Sequence, residues 1–333
     1  MITRSVFDNI VILVYMISVL AVGVYYSRYN RNSTEYFLGG RKFGWITIGL
    51  SLFIANIVIE QFIGMIGLKI GNGLLVGYLE LLSAVLILIS IWVLMPVIFR
   101  VNVFTIAELL ERRFNRASGI YISYVTLTVF VITNLSISLY VGSFLLNKTM
   151  GWDMVTSGVV LIIVTGIYSI TGGMRAVMYT GVLQAAILIS GLLLLLFFGL
   201  SEAGDLNIIL TGPENVFSIF QPVNDPELPW TGVLFALPVL GIWYWYIDQY
   251  AAQRIIAAEN INQARKGGFF AAGLKIISIF LIVSPALIAV SLFPEISPDQ
   301  AFVALTTSHI LPIGIRGLVI SGILAAVMSS LGH

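Results

Sequence analysis

Between Trp45 and Leu68 runs an apolar stretch long enough to cross a bilayer, and near its middle it carries Asn56, Glu60 and Gln61. An ionisable group at the centre of a membrane helix costs about 2.5 to 3.5 kcal/mol on insertion scales, so by default it marks a substrate, ion or proton path. Three more charges fall inside apolar segments: Glu80, Lys275 and, toward one segment's end, Asp248. Bare charges in hydrocarbon shift their protonation or are expelled. Glu60, Glu80 and Lys275 are therefore expected to face a shared polar cavity. Ser83 follows Glu80 by three residues and belongs to the same helix face. Donors and acceptors in this balance suit a neutral, polyhydroxylated solute. The competing structural use is a buried Glu80–Lys275 pair that binds nothing, and for Gln61 an interhelical hydrogen bond.

The elements that must hold these groups are membrane helices. A chain of 333 residues that is 59% hydrophobic and only 10% charged, with a mean hydropathy of +1.00, belongs in a lipid bilayer. Segments of about 20 apolar residues, the length a bilayer core needs, recur nine times: 9–26, 45–68, 73–99, 120–146, 154–170, 176–200, 228–250, 268–293 and 313–331. The first has no small-residue cleavage site after it and reads as a retained helix rather than a secretory signal. Basic residues gather after alternate segments: Arg28, Arg31, Arg41 and Lys42, then Arg100, Arg112, Arg113 and Arg116, then Arg175, then Arg254, Arg265 and Lys266. These loops are expected to be cytoplasmic. The stretch from Glu202 to Glu227 holds five carboxylates and no Lys or Arg, and it goes outside together with the N-terminus. His333 follows directly on the ninth segment, so the chain is expected to be part of a longer transporter.

Other features bear on mechanism. Gly64 and Gly67 in the second segment and Pro238 and Gly241 in the seventh give both helices reason to kink or unwind mid-membrane, where freed carbonyls hold sodium and half-helix ends hold substrate. Ser329 and Ser330 offer paired hydroxyls beside Ala325 and Ala326; close helix packing is the ordinary use of such small residues. The cluster from Trp243 to Tyr246 fits an interfacial aromatic belt, and the run from Ala251 to Arg265 reads as a short interfacial helix without chemistry. With no cysteine, disulfides, thiolate metal sites and a cysteine nucleophile are excluded. Neither HExxH nor a P-loop is present, and the two histidines, His309 and His333, lie outside the apolar segments. An intramembrane enzyme, direct nucleotide drive and nucleic-acid binding are accordingly not expected.

Five ordered strings resemble signatures of the sodium/solute symporter family, most closely its sodium/sugar branch: NSTEYFLGGRKFGW (32–45), SLFIANIVIEQFIGM (51–65), YSITGGMRAVMYTGVLQ (168–184), IWYWYIDQYAAQRIIAAENINQARKG (242–267) and GIRGLVISGILAAVMSSL (314–331). The resemblance covers essentially the whole chain. It implies an all-α, leucine-transporter-type inverted-repeat bundle, with residues 9–26 as an extra N-terminal helix, 45–200 as the first five-helix repeat and 228–333 as an incomplete second repeat. It further implies sodium held by the carbonyls of Ile54, Ile57 and Ala326 and the hydroxyls of Ser329 and Ser330. Gln61, Glu80, Ser83 and Lys275 match substrate-contacting positions, with Glu60 beside them, and Tyr244 matches the residue that closes the inner gate. Two positions depart from the pattern: Gly241 stands where a sugar-transporting relative has an asparagine contact, and Gly181 where relatives have an aspartate on the ion's way out. The activity implied is sodium-coupled symport of a sugar or polyol across the plasma membrane. A transporter-derived solute sensor with an appended signalling module is the alternative.

Overall fold

The computed structural model describes residues 5–57, 74–204, 222–224, 229–295 and 298–332. Glu60, Gln61, Gly64, Gly67 and His333 lie outside the described residues. Fourteen α-helices follow one another there: α1 (Val6–Ser27), α2 (Ser33–Leu38), α3 (Trp45–Asn56), α4 (Leu74–Ile89), α5 (Met95–Val101), α6 (Ile106–Arg113), α7 (Arg116–Val129), α8 (Ser136–Met150), α9 (Met154–Ala203), α10 (Leu237–Ile242), α11 (Gln249–Ile256), α12 (Ile261–Leu292), α13 (Pro298–Thr307) and α14 (Ile315–Leu331).

Several of these join end to end. Wide π turns at Ser90–Leu94, Phe130–Leu135, Gly232–Ala236 and Trp243–Ile247 link α4 to α5, α7 to α8, the 229–231 stretch to α10, and α10 to the cap of α11. Two of them have a visible cause. Pro96 and Pro238 stand at the start of the helix that follows, and a proline can neither donate a backbone bond nor fit under the carbonyl four residues back. Five of the resulting helical runs are long and apolar enough to cross a membrane, and α3, the run 232–246 and α14 are shorter apolar helices.

The fifth and sixth expected segments are the two limbs of α9, folded back at Gly173, whose φ of 57° and ψ of −158° only glycine adopts without strain. A Cβ there would also lie 2.8 Å from the carbonyl of Tyr36.

Polar caps begin the helices where the apolar runs start. The side chains of Asn32, Thr105, Asn115, Asp153 and Asn260 each accept a backbone N–H of the first turn. Asp153 is held below the usual carboxylate range by its hydrogen bonds to Thr156. Asp248 caps α11 through the N–H of Tyr250 at 3.1 Å, so this charge, counted from sequence among those at membrane depth, serves a helix end.

The loops rich in basic residues converge on one face, as the alternation of charge requires. Arg41 donates to Asn102 and to the carbonyl of Val103, Arg175 pairs with Glu35, Gln253 donates to the carbonyl of Phe37 at 2.7 Å, and Gln263 accepts the N–H of Trp45 at 3.0 Å. At the other end, Asp8 of α1 pairs with Arg316 of α14 at 2.7 Å, both nearly buried. Between the faces, α9 packs on α1, α3, α8 and α14, while α12 packs on α3 and α4. One apolar cluster joins α1, the end of α3, α9 and α14, and a second joins the start of α3, α4, α11 and the start of α12.

Candidate functional site

Everything of chemical interest gathers where α3 stops. Twelve residues of α3 reach about 18 Å at 1.5 Å per residue, roughly half a bilayer core. The chain then leaves the helix at Ile57, whose φ of −89° and ψ of 93° are extended. The last carbonyls of a helix have no partner within it and must find others. Here the Asn56 carbonyl accepts Lys275 Nζ at 3.3 Å, and the Ala55 carbonyl accepts the hydroxyls of Tyr250 and, at 3.5 Å, Tyr244. The Ile54 carbonyl takes the N–H of Ile57 at 3.3 Å and keeps a second lone pair.

Lys275 and Glu80 do form a pair, at 2.7 Å, with side chains 0% and 1% exposed. Ser278, one turn along α12, donates to the same carboxylate at 2.7 Å. The two charges are thus paired and buried, and Ser83 lies half-buried one turn along α4. The expectation that Glu60 and Gln61 join them falls on undescribed residues.

Across from the end of α3 stands α14. Ala326, Ser329 and Ser330 are all buried, and Ser330 Oγ donates to the Ala326 carbonyl at 3.1 Å. Ile54, Ile57 and Ala326 belong to one contiguous cluster. The carbonyls and hydroxyls that the resemblance implies as ligands are neutral oxygens, a hard donor set of the kind that suits an alkali cation. Among the described residues, no group of three His, Cys, Asp or Glu could hold a transition metal.

Two members of the aromatic cluster face inward rather than outward. Trp245 is 1% exposed within the apolar core, and Tyr244 reaches the broken end of α3. The run after it also differs from expectation. It splits into α11, a turn at Ala257–Asn260, and the start of α12, and α11 buries its Arg as well as its apolar residues. Arg254, 2% exposed, donates through Nε to Ser51 Oγ at 2.9 Å and through Nη1 to the Tyr250 carbonyl at 2.7 Å, with its guanidinium 4.7 Å from the Tyr250 ring centre. Sequence reasoning missed Ser51, Tyr250 and Arg254. The available signal was the spacing of Tyr250 and Arg254, four apart on one helix face.

Both glycine departures have structural counterparts. A Cβ on Gly241 would fall 2.1 Å from Leu86 Cδ1, so a core leucine fills the space an asparagine would need. A Cβ on Gly181 would lie 3.1 Å from Ser51 Oγ, the hydroxyl that holds Arg254.

The model of the sodium:solute symporter family matches residues 36–333. Sodium/glucose cotransporter 4 of Mus musculus is 33% identical over 365 residues, covering 98% of this chain and 53% of the relative. Sodium/myo-inositol cotransporter of Bos taurus is 31% identical over 371 residues, covering 97% and 52%. The chain thus spans about half the length of these curated relatives. Among solved structures, a Na+-coupled sialic acid symporter in a substrate-bound outward-open state overlays with a TM-score of 0.86 over 98% of this chain and 71% of that one, at 22% identity. That likeness shows the leucine-transporter-type helical fold.

Proposed function

Because the chain belongs to the sodium:solute symporter family, a family of transporters and not of enzymes, we propose that it performs sodium-coupled symport of a small polar solute, a sugar or polyol, across the plasma membrane. The observation that supports this reading is that α3 ends at Ile57 while in contact with α14, the helix on which Ser329 and Ser330 are buried. Sodium is bound there by the carbonyls of Ile54, Ile57 and Ala326 and by the two hydroxyls. The solute is bound by Gln61, Glu60, Ser83 and the Glu80–Lys275 pair, and Tyr244 closes the inner side. Relatives named for glucose and myo-inositol support a polyhydroxylated solute. In this reading residues 45–200 form the first repeat and 228–333 the opening of the second.

In this reading coupling runs through α3. Lys275 holds the Asn56 carbonyl, which stands among the proposed sodium ligands of α3, while Glu60 and Gln61 follow a few residues later in the sequence. A cation that draws α3 toward α14 also fixes where the solute-binding residues begin. Each ligand shifts the outward–inward equilibrium only by its differential affinity for the two states.

Uptake of labelled sugars, polyols and amino acids, with and without a sodium gradient, tests the proposal. Sodium-stimulated uptake of a sugar or polyol is expected, and uptake indifferent to sodium would refute it. Ser330→Ala removes one ligand and is expected to raise the sodium concentration for half-maximal uptake by about ten-fold, the equivalent of about 1.4 kcal/mol. An unaltered sodium activation curve would remove Ser330 from the site.

A further inference from the structure

Tyr250 reaches into the gap between the two halves of the sodium site, and nothing in the resemblance assigns it a part. Its hydroxyl donates to the Ala55 carbonyl, one residue beyond Ile54, and the side chains of Ser329 and Ser330 on α14 lie beside it. One side chain therefore spans from the broken end of α3 to the paired serines of α14. Its ring is braced from behind. The Arg254 guanidinium sits 4.7 Å from the ring centre, donates to the Tyr250 carbonyl, and is itself fixed to α3 through Ser51.

On the other side of Tyr250 lies a cavity of about 510 Å³, lined by Tyr36, Thr105, Ser169, Gln253 and Arg254 among others, at the face where the basic loops gather. Tyr250 also lines this cavity. Tyr250 thus stands between the end of α3 and this cavity, with Arg254 beside it.

We infer that Tyr250, braced by Arg254, is the inner closure of the sodium site, and that its side chain must leave Ala55 and the paired serines before the cation can enter the cytoplasmic cavity. The inference rests on the sodium-site reading above. It divides the inner barrier between two tyrosines: Tyr244, assigned to the solute, and Tyr250, assigned to the ion. Both hydroxyls share the Ala55 carbonyl.

The test is the wash-out of radioactive sodium from the purified full chain, together with its equilibrium affinity for sodium, in Tyr250→Phe, Tyr250→Ala and Ser329→Ala. Tyr250→Phe keeps the ring and deletes only the bridging hydroxyl. Wash-out is expected to accelerate about three- to ten-fold, the range one lost hydrogen bond produces, while affinity changes less than about two-fold because entry accelerates as well. Tyr250→Ala is expected to accelerate it further. An unchanged rate in both variants, alongside weakened sodium binding in Ser329→Ala, overturns the closure and leaves the site standing. Affinity that falls in proportion to the faster wash-out makes Tyr250 an ordinary structural or ligating residue and likewise overturns it. Unaltered sodium binding in Ser329→Ala overturns the site itself and the closure with it.

Discussion

Lys275→Ala is expected to lose about 3 to 5 kcal/mol of stability, because it strips a buried carboxylate of its cation. Glu80 is 1% exposed and takes Lys275 Nζ and Ser278 Oγ, each at 2.7 Å. Without the ammonium, the carboxylate keeps Ser278 but its charge is no longer balanced by Lys275. The Asn56 carbonyl loses its donor at the same time, so the damage extends to the broken end of α3. The melting midpoint of the detergent-solubilised protein should fall well below that of the parent. The double variant Glu80→Gln, Lys275→Met, which removes both charges, should recover much of the loss, since a buried pair is often replaceable by uncharged groups of similar volume. An unchanged midpoint in Lys275→Ala would mean that the pair is solvated in the membrane-embedded protein. If the double variant melts normally yet fails to take up solute, the pair serves binding rather than folding.

The second large effect is expected at Asp8→Ala. This carboxylate accepts the N–H groups of Gly314 and Gly317 at 2.7 and 3.0 Å, and Arg316 Nε and Nη2 at 2.8 and 2.7 Å. It caps the start of α14 from another helix, combining the capping of free N–H groups with a buried ion pair. The close fit extends to the backbone: a Cβ on Gly317 would lie 2.8 Å from the Asp8 Cα. Truncation leaves a nearly buried guanidinium without its carboxylate and is expected to cost about 3 to 5 kcal/mol. Asp8→Asn keeps one acceptor oxygen and should lose less. Because Ser329 and Ser330 lie at the opposite end of α14, both variants should also weaken sodium activation of uptake. Normal melting and normal sodium activation in Asp8→Ala would show that α14 holds its place without α1.

Much of this was legible in the sequence, for identifiable reasons. Spanning helices announce themselves because hydrocarbon demands long apolar runs, and the expected segment 9–26 corresponds closely to α1. Pro238 advertised a kink because its missing donor disrupts any helix, whatever surrounds it. The pairing of Glu80 with Lys275 was foreseen as a possibility, since opposite charges in an apolar medium have few other choices. Asp8 and Arg316 were invisible because each stands at a helix end, where sequence alone places water. Arg254 misled for a related reason: a short run mixing charges with apolar residues reads as a surface helix until its partners, Ser51 and the Tyr250 ring, are seen. The assignment of Ile54 and Ile57 as ion ligands had no local signal at all, because a carbonyl looks the same under any side chain; only the family resemblance pointed there.

The reversal at Gly173 carries a mechanical consequence. The tip of that hairpin is clasped by the stretch that follows α1: Asn30 Nδ2 and the Tyr36 hydroxyl each donate at 2.9 Å to the carbonyls of Thr171 and Ile170, and Arg175 pairs with Glu35. Gly23 meanwhile backs directly against Tyr168, with no room for even a methyl group. The first helix, its trailing linker and both limbs of the hairpin are therefore locked into a single strut. Under the proposed symport, that strut is the frame against which α3, packed on it and tied to α12 through Lys275, would have to move.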